Sequence, residues 1–277
     1  MEGMPSSPYG DDLEKVEDVS GQVCFEPTLC GVLWAFLEIV LVAVFGSLVT
    51  QIAFLWVGFE GTQILESTRL LFLFMASETC ITLLLIGFFL YLKGGNVTRL
   101  GWVWKGRQRE FFLGVLFLPI LFISTFAVGI FFELLLPQYV SSSNPLLELV
   151  QNFEDLGLLL ITSIFVGGVK EEIQRAFVLD RFENNIGAIL AKPVFFGRAL
   201  ASDQVARCMG VVAGLILWSL FFGLGHQVQG VDNATGAGVL GLLFGLLYVW
   251  RRNLVAPIVS HALYDVTTLL IFWNFMT

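Results

Sequence analysis

Charge is scarce in this sequence: 14% of its 277 residues are Asp, Glu, Lys or Arg, against 56% hydrophobic. An average soluble domain carries about 25% charged residues, so a water-soluble globule is excluded and an integral membrane protein is implied. Histidine is scarcer still, with only His226 and His261. Neither HExxH nor HxxxH can be written, which removes the usual zinc-protease pattern of soluble enzymes. No GxSxG supplies a serine-nucleophile elbow either. The four cysteines, Cys24, Cys30, Cys80 and Cys208, show no CxxC spacing and carry no metal or disulfide signal. Excess positive charge is also missing. The formal net charge of −8 argues against nucleic acid as a partner. Much of it comes from the first thirty residues, where Glu2, Asp11, Asp12, Glu14, Glu17, Asp18 and Glu26 outnumber Lys15. Residues 1–30 therefore read as a solvated acidic tail. No basic region precedes the first apolar run, so no cleavable signal peptide is expected and the first helix should stay as an anchor.

Long apolar runs are abundant. Stretches near the ~20 residues needed to span hydrocarbon run roughly from Gly31 to Gly58, Leu70 to Leu92, Phe111 to Leu136, Leu156 to Leu179, Met209 to His226, Ala237 to Trp250 and Leu254 to Phe275. An interfacial or re-entrant piece between Ile186 and Leu200 would add one more, because Ala188 to Ala191 and Val194 to Phe196 are apolar but too short to cross alone. The fold class expected is an all-α polytopic membrane bundle of about seven to eight transmembrane helices, forming one transmembrane domain over residues 31–277. Lys93, Arg99, Lys105, Arg107 and Arg109, then Arg181, Lys192, Arg198 and Arg207, then Arg251 and Arg252 fall in loops on one side. The opposite loops hold only Arg69, so the basic loops and the amino terminus are expected in the cytoplasm. Gly238, Gly241 and Gly245 make a small-residue stripe on the sixth span, read as a site of close packing within the chain.

Ionisable groups inside such spans are costly and mark functional positions. The fourth span carries Lys170-Glu171-Glu172-Ile173-Gln174-Arg175, in which Arg175 can reach either glutamate on a helix. Alternatively this is a helix-end salt bridge, with Lys170 and Arg175 snorkelling to headgroups. Phe222 and His226 share a helix face on the fifth span, as do His261 and Asp265 on the seventh. Two of these three patterns use the only histidines present. A carboxylate in an apolar cavity is a competent base near neutral pH, and with an imidazole it can activate water for attack on a carbonyl. A second imidazole can then stabilise the oxyanion. Asp265 cannot donate a hydrogen bond unless protonated, and orienting His261 is the role expected of it. Glu171, His226 and His261 are equally a possible zinc ligand set.

The order Glu171-Glu172 with Arg175, then Phe222 with His226, then His261 with Asp265 resembles the CAAX prenyl endopeptidase and bacteriocin-processing family (CPBP, also called Abi) of intramembrane proteases. The resemblance covers roughly residues 157–275. It extends to the Gly-rich run Ala237 to Tyr248 and to Asn253-Leu254-Val255-Ala256-Pro257-Ile258-Val259-Ser260-His261. It implies that Glu171 and His226 activate the attacking water, that Glu172 and Arg175 support the site, and that His261 with residue 265 stabilises the oxyanion. It implies a peptide, prenylated protein or membrane-protein substrate. Such proteins are often labelled metalloproteases, although a glutamate-dependent, metal-free mechanism fits the same residues and is favoured here, with zinc left open. Asp265 departs from the asparagine that often ends the last motif. The separation of Glu172 from His226 is long and suggests an insertion around Ile186 to Ala206. A non-catalytic binding or immunity protein and a proton-coupled transporter are the competing readings.

Taken literally, the span boundaries set Glu171 near the cytoplasm and His226 near the outside, too far apart to share a water at ~1.5 Å rise per residue. The fourth helix is therefore expected to reach to about Phe182, with the stretch before Met209 belonging to the fifth.

Overall fold

The computed structural model describes residues 28–59, 61–103, 105–193 and 199–276. Most of the acidic tail, Cys24, the Val194 to Phe196 run and Arg198 lie outside the described residues. Among the described residues all regular structure is helical. Six helices are long and apolar enough to cross a membrane: α1 (Leu29–Val57), α2 (Thr68–Leu92), α3 (Arg107–Leu135), α4 (Asp203–Gly225), α5 (Val231–Arg251) and α6 (Val255–Met276). Their outward faces present bare Leu33, Trp56, Leu84, Phe112, Leu116 and Phe126, side chains that water would penalise and acyl chains accept. The chain is thus a multi-pass helical membrane protein.

Between α3 and α4 runs a broken rod over residues 153–191. It passes from α-helix (Phe153–Thr162) to π-helix (Ser163–Glu171), back to α-helix (Glu172–Arg181), then through a second π segment (Phe182–Gly187) into a closing 3-10 turn (Ala188–Ala191). Asn152 starts it by accepting from the N–H groups of Glu154 and Asp155 at 2.9 and 3.0 Å. Those two acids in the first turn also suit the positive end of the helix dipole. The rod takes the place of the fourth expected span and continues past Phe182. The helix after it starts at Asp203, ahead of Met209. Both extensions lengthen the pair in the direction that the expected separation of Glu171 and His226 demanded. They also correct one expectation. The stretch from Ile186 to Ala191 is no separate interfacial piece: it finishes the rod and packs on α4, where the backbone of Gly187 meets that of Gly210 so closely that a Cβ on Gly187 would lie 2.8 Å from the Gly210 Cα.

The small-residue stripe of α5 packs inside the chain, as expected. A Cβ on Gly241 would lie 3.0 Å from the Phe222 ring, and Gly245 abuts Leu215 and Arg175. At the end where the basic loops gather, charges are paired across helices: Arg251 with Glu110 at 2.5 Å, Lys93 with Glu38 at 3.0 Å, and the buried Arg181 with both Glu38 and Asp180.

Candidate active site

The π segment sets the site. A π turn inserts one residue into the helical register and is frequent at functional positions. Here it ends at Glu171, with Gly167 and Gly168 laid against α6. A Cβ on Gly168 would fall 2.8 Å from that of Ala262, and one on Gly167 would fall 2.5 Å from Oδ2 of Asp265. Only glycine lets the backbones approach this closely, and the approach brings the His261 to Asp265 face against Glu171 and Glu172.

The depth of His261 along α6 is set from outside the site. Gly101, at φ +87°, accepts the Leu254 N–H at 3.0 Å, and the Asn253 side chain accepts from the Val255 N–H at 2.8 Å. The first bond ties the start of α6 to the turn after α2, as does the Asn253 amide donating to the Val103 carbonyl at 3.4 Å, and the second caps the helix. His261 then sits buried, its ring stacked on Phe244 at 4.3 Å between centroids and edge-on to Phe222 at 6.0 Å. Its Nδ1 lies 2.7 Å from Oε1 of Glu172. Since a carboxylate only accepts, Nδ1 carries the proton and Nε2 is turned to the cavity. Two more carboxylates flank that nitrogen, Asp265 at 3.7 Å and Glu171 at 3.8 Å. The partner that orients the ring is therefore Glu172, and not Asp265 as expected from the i, i+4 spacing.

Arg175 pairs with Glu172, both side chains 1% exposed. Its guanidinium carbon stands 5.0 and 5.4 Å from the ring centres of Phe222 and Phe244, where the aromatic faces attract the cation. Lys170 is likewise buried and is paired with Glu78 of α2 at 3.0 Å. Neither cation snorkels to headgroups.

His226 stands at the end of α4, where the helix leaves its last carbonyls unused. One of these, on Phe222, lies 2.7 Å from His226 Nδ1. A carbonyl only accepts, so here too Nδ1 holds the proton and Nε2 is left with a lone pair.

Glu171, His226, His261 and Asp265 line a single cavity of about 330 Å³, while Glu172 and Arg175 lie buried behind it. The walls also carry polar residues that the sequence reading passed over: Asn144, Gln229, Asp232, Asn233 and Tyr264. Gln229, Asp232 and Asn233 form a polar cluster just after His226 between two apolar helices, a signal that was legible. Asn144 comes from a loop distant in sequence and is joined to Gln229 at 3.3 Å; nothing local announces it. Among the described residues no three His, Cys, Asp or Glu side chains are disposed to hold one metal ion. Glu171, His226 and His261 thus share a cavity without forming a ligand set.

Among curated proteins and solved structures, no match to the chain is found. Residues 152–267 match the model of the family described as type II CAAX prenyl endopeptidase Rce1-like, and the resemblance carried by Glu171, Glu172, Arg175, His226 and His261 is thereby borne out at the level of the family.

Proposed function

We propose that this chain is an intramembrane endopeptidase that cleaves a peptide bond presented from the bilayer. The observation that carries the reading is the meeting of Glu171, His226 and His261 on one cavity between apolar helices. Glu171 and the Nε2 of His226 offer acceptors, which is what a water nucleophile needs. Glu171 takes one proton of the water while His226 Nε2 accepts the other as a hydrogen bond, and the oxygen attacks the carbonyl carbon. The proton on Glu171 passes to the leaving amine as the C–N bond breaks, which returns the carboxylate. An oxyanion needs a donor. A proton held between Asp265 and His261 Nε2, 3.7 Å apart, provides it. Glu172 keeps the His261 ring in place.

With no three donors disposed as ligands, no step is routed through zinc. The family match and the bilayer setting support a CAAX-type prenylated tail or a peptide precursor, entering from the membrane, as the substrate. Placing the basic loops in the cytoplasm would set the paired-charge end of the bundle on that side.

The test is direct. The full chain is reconstituted in liposomes with an internally quenched peptide carrying a farnesylated cysteine, and with the same peptide unprenylated. Cleavage by the wild type that is lost in Glu171→Gln supports the proposal. Absence of cleavage of either peptide, with the protein folded, or equal cleavage by the variant, would overturn it.

A further inference from the structure

Three consecutive charged side chains leave the end of the π segment in three directions. Lys170 runs to α2, where its Nζ lies 3.0 Å from Oε2 of Glu78. Glu171 faces the cavity. Glu172 turns to His261 and Arg175. The two cations of this segment are therefore both engaged by carboxylates other than Glu171. Arg175 is held by Glu172, and Lys170 by a residue almost a hundred positions earlier, outside the segment that matches the family.

The partner is itself fixed. Both side chains of the pair are under 10% exposed, and Thr82 donates to Oε1 of Glu78 at 3.3 Å. From the far side α1 closes on the same point: a Cβ on Gly46 would lie 3.1 Å from the Glu78 carbonyl oxygen. A buried ion pair is weak evidence for stability, since apolar residues of similar volume often serve as well or better. Its presence one residue from a proposed base calls for another account.

We propose that Glu78 is a positioning residue for the hydrolytic site: by holding the Lys170 ammonium on α2, it keeps that cation off the Glu171 carboxylate. Deprived of Glu78, a lysine in apolar surroundings turns to the nearest anion, and along the chain that is Glu171. A base tied up in an ion pair accepts a proton from water less readily. The consequence is an asymmetry that a purely structural pair lacks. Removing Glu78 harms catalysis, whereas removing Lys170 does not, although either single change leaves one buried charge unmatched.

The proposal rests on the peptidase reading for its kinetic arm and is independent of it for its chemical arm. In the first, Glu78→Gln, Lys170→Met and the double variant are compared with wild type on the farnesylated peptide, alongside melting temperatures. The expectation is a kcat about tenfold lower for Glu78→Gln, a fraction of the ~10²–10⁴ that a general base supplies, with KM unchanged. Lys170→Met and the double variant keep kcat within about threefold. The double variant also guards against failure of a single variant to fold, since it leaves no lone buried charge. In the second arm, Glu171→Cys is made with the four native cysteines changed to serine, and its maleimide alkylation rate is measured. A freed ammonium beside the thiol stabilises the thiolate, so adding Glu78→Gln should raise the rate about threefold at neutral pH. Adding Lys170→Met as well should return it. Equal kcat losses in both single variants, tracking their melting temperatures, overturn the proposal, as does an alkylation rate indifferent to Glu78. A wild type without peptidase activity removes the function proposed above and leaves the alkylation rate to decide this one.

Discussion

His261 and Glu172 are joined Nδ1 to Oε1 at 2.7 Å, on residues 89 positions apart in the chain. That one bond selects the tautomer, points Nε2 at the cavity and gives Glu172 two duties, since the same oxygen also meets Arg175. The adjacent glutamates are accordingly not interchangeable. Glu172 is 1% exposed and engaged through one oxygen by a cation and an imidazole, whereas Glu171 is 16% exposed and faces the space where substrate would lie.

Glu172→Gln should therefore act first on the fold. It strands the Arg175 guanidinium without a counter-charge, a loss of about 3–5 kcal/mol for a broken buried pair, read as a large fall in melting temperature. Replacing both as Glu172→Leu with Arg175→Met removes charge and demand together and should recover most of the stability. Turnover should stay at least about tenfold down, because His261 then has no acceptor at Nδ1 and its ring is free to turn. A double variant with wild-type kcat would show that the ring needs no such hold.

Glu171→Gln is expected to do the reverse. The amide fills the same volume at a partly open position, so melting temperature should change by no more than the ~0.5 kcal/mol typical of tolerant sites. Peptide cleavage should fall by about 10²-fold or more, since an amide cannot take the proton from water. Equal cleavage rates for the variant and wild type, measured on the same liposomes, remove Glu171 from the role of base.

The helices were legible from apolar run length, because a segment in hydrocarbon must satisfy its own backbone and has few ways to do so. The candidate site was legible as a set of residues, Glu171, Glu172, Arg175, His226 and His261, because ionisable groups stand out against an apolar background. What stayed hidden was pairing. The i, i+4 spacing of His261 and Asp265 suggested an orienting contact, yet a ring nitrogen is claimed by whichever acceptor the packed helices bring nearest, and that is Glu172. Snorkelling stayed an open alternative for Lys170 because its partner Glu78 sits on another helix. The register shift at Ser163–Glu171 leaves no mark beyond Gly167-Gly168, since π turns carry no sequence pattern of their own.

Gly168→Ala tests that register. The new methyl would lie 2.8 Å from the Ala262 Cβ and 3.3 Å from the Ile258 carbonyl oxygen, and neither neighbour is a flexible side-chain end. Overpacking of this kind costs about 1–3 kcal/mol. The rod and α6 should part by a few tenths of an ångström, enough to lengthen the contacts of His261 with Glu171 and Glu172. The expected result is a kcat reduced by about an order of magnitude or more, as misplacement of reacting groups produces, with a modest drop in melting temperature. The control is Gly87→Ala on α2, away from the cavity, where a Cβ meets nothing within 4 Å and stability should not suffer from overpacking.

Asp265 is the residue on which mechanism and metal part company. Its Oδ2 lies 3.7 Å from His261 Nε2, on the cavity side of the ring, so in the proposed mechanism it matters as one holder of the shared proton. Asp265→Asn puts an amide N–H in that place, a donor that needs no proton supplied to it, and should retain at least about a third of wild-type turnover. Metal-binding carboxylates behave otherwise: their loss weakens metal affinity, and activity then depends on added metal and is abolished by chelators. Both assays are run on the purified protein, with the chelator dialysed away before zinc is returned. Turnover that survives the chelator and the asparagine together supports the water mechanism driven by Glu171 and His226. Full inhibition by the chelator, reversed by zinc, would instead make Glu171, His226 and His261 ligands that close around a metal in the active protein.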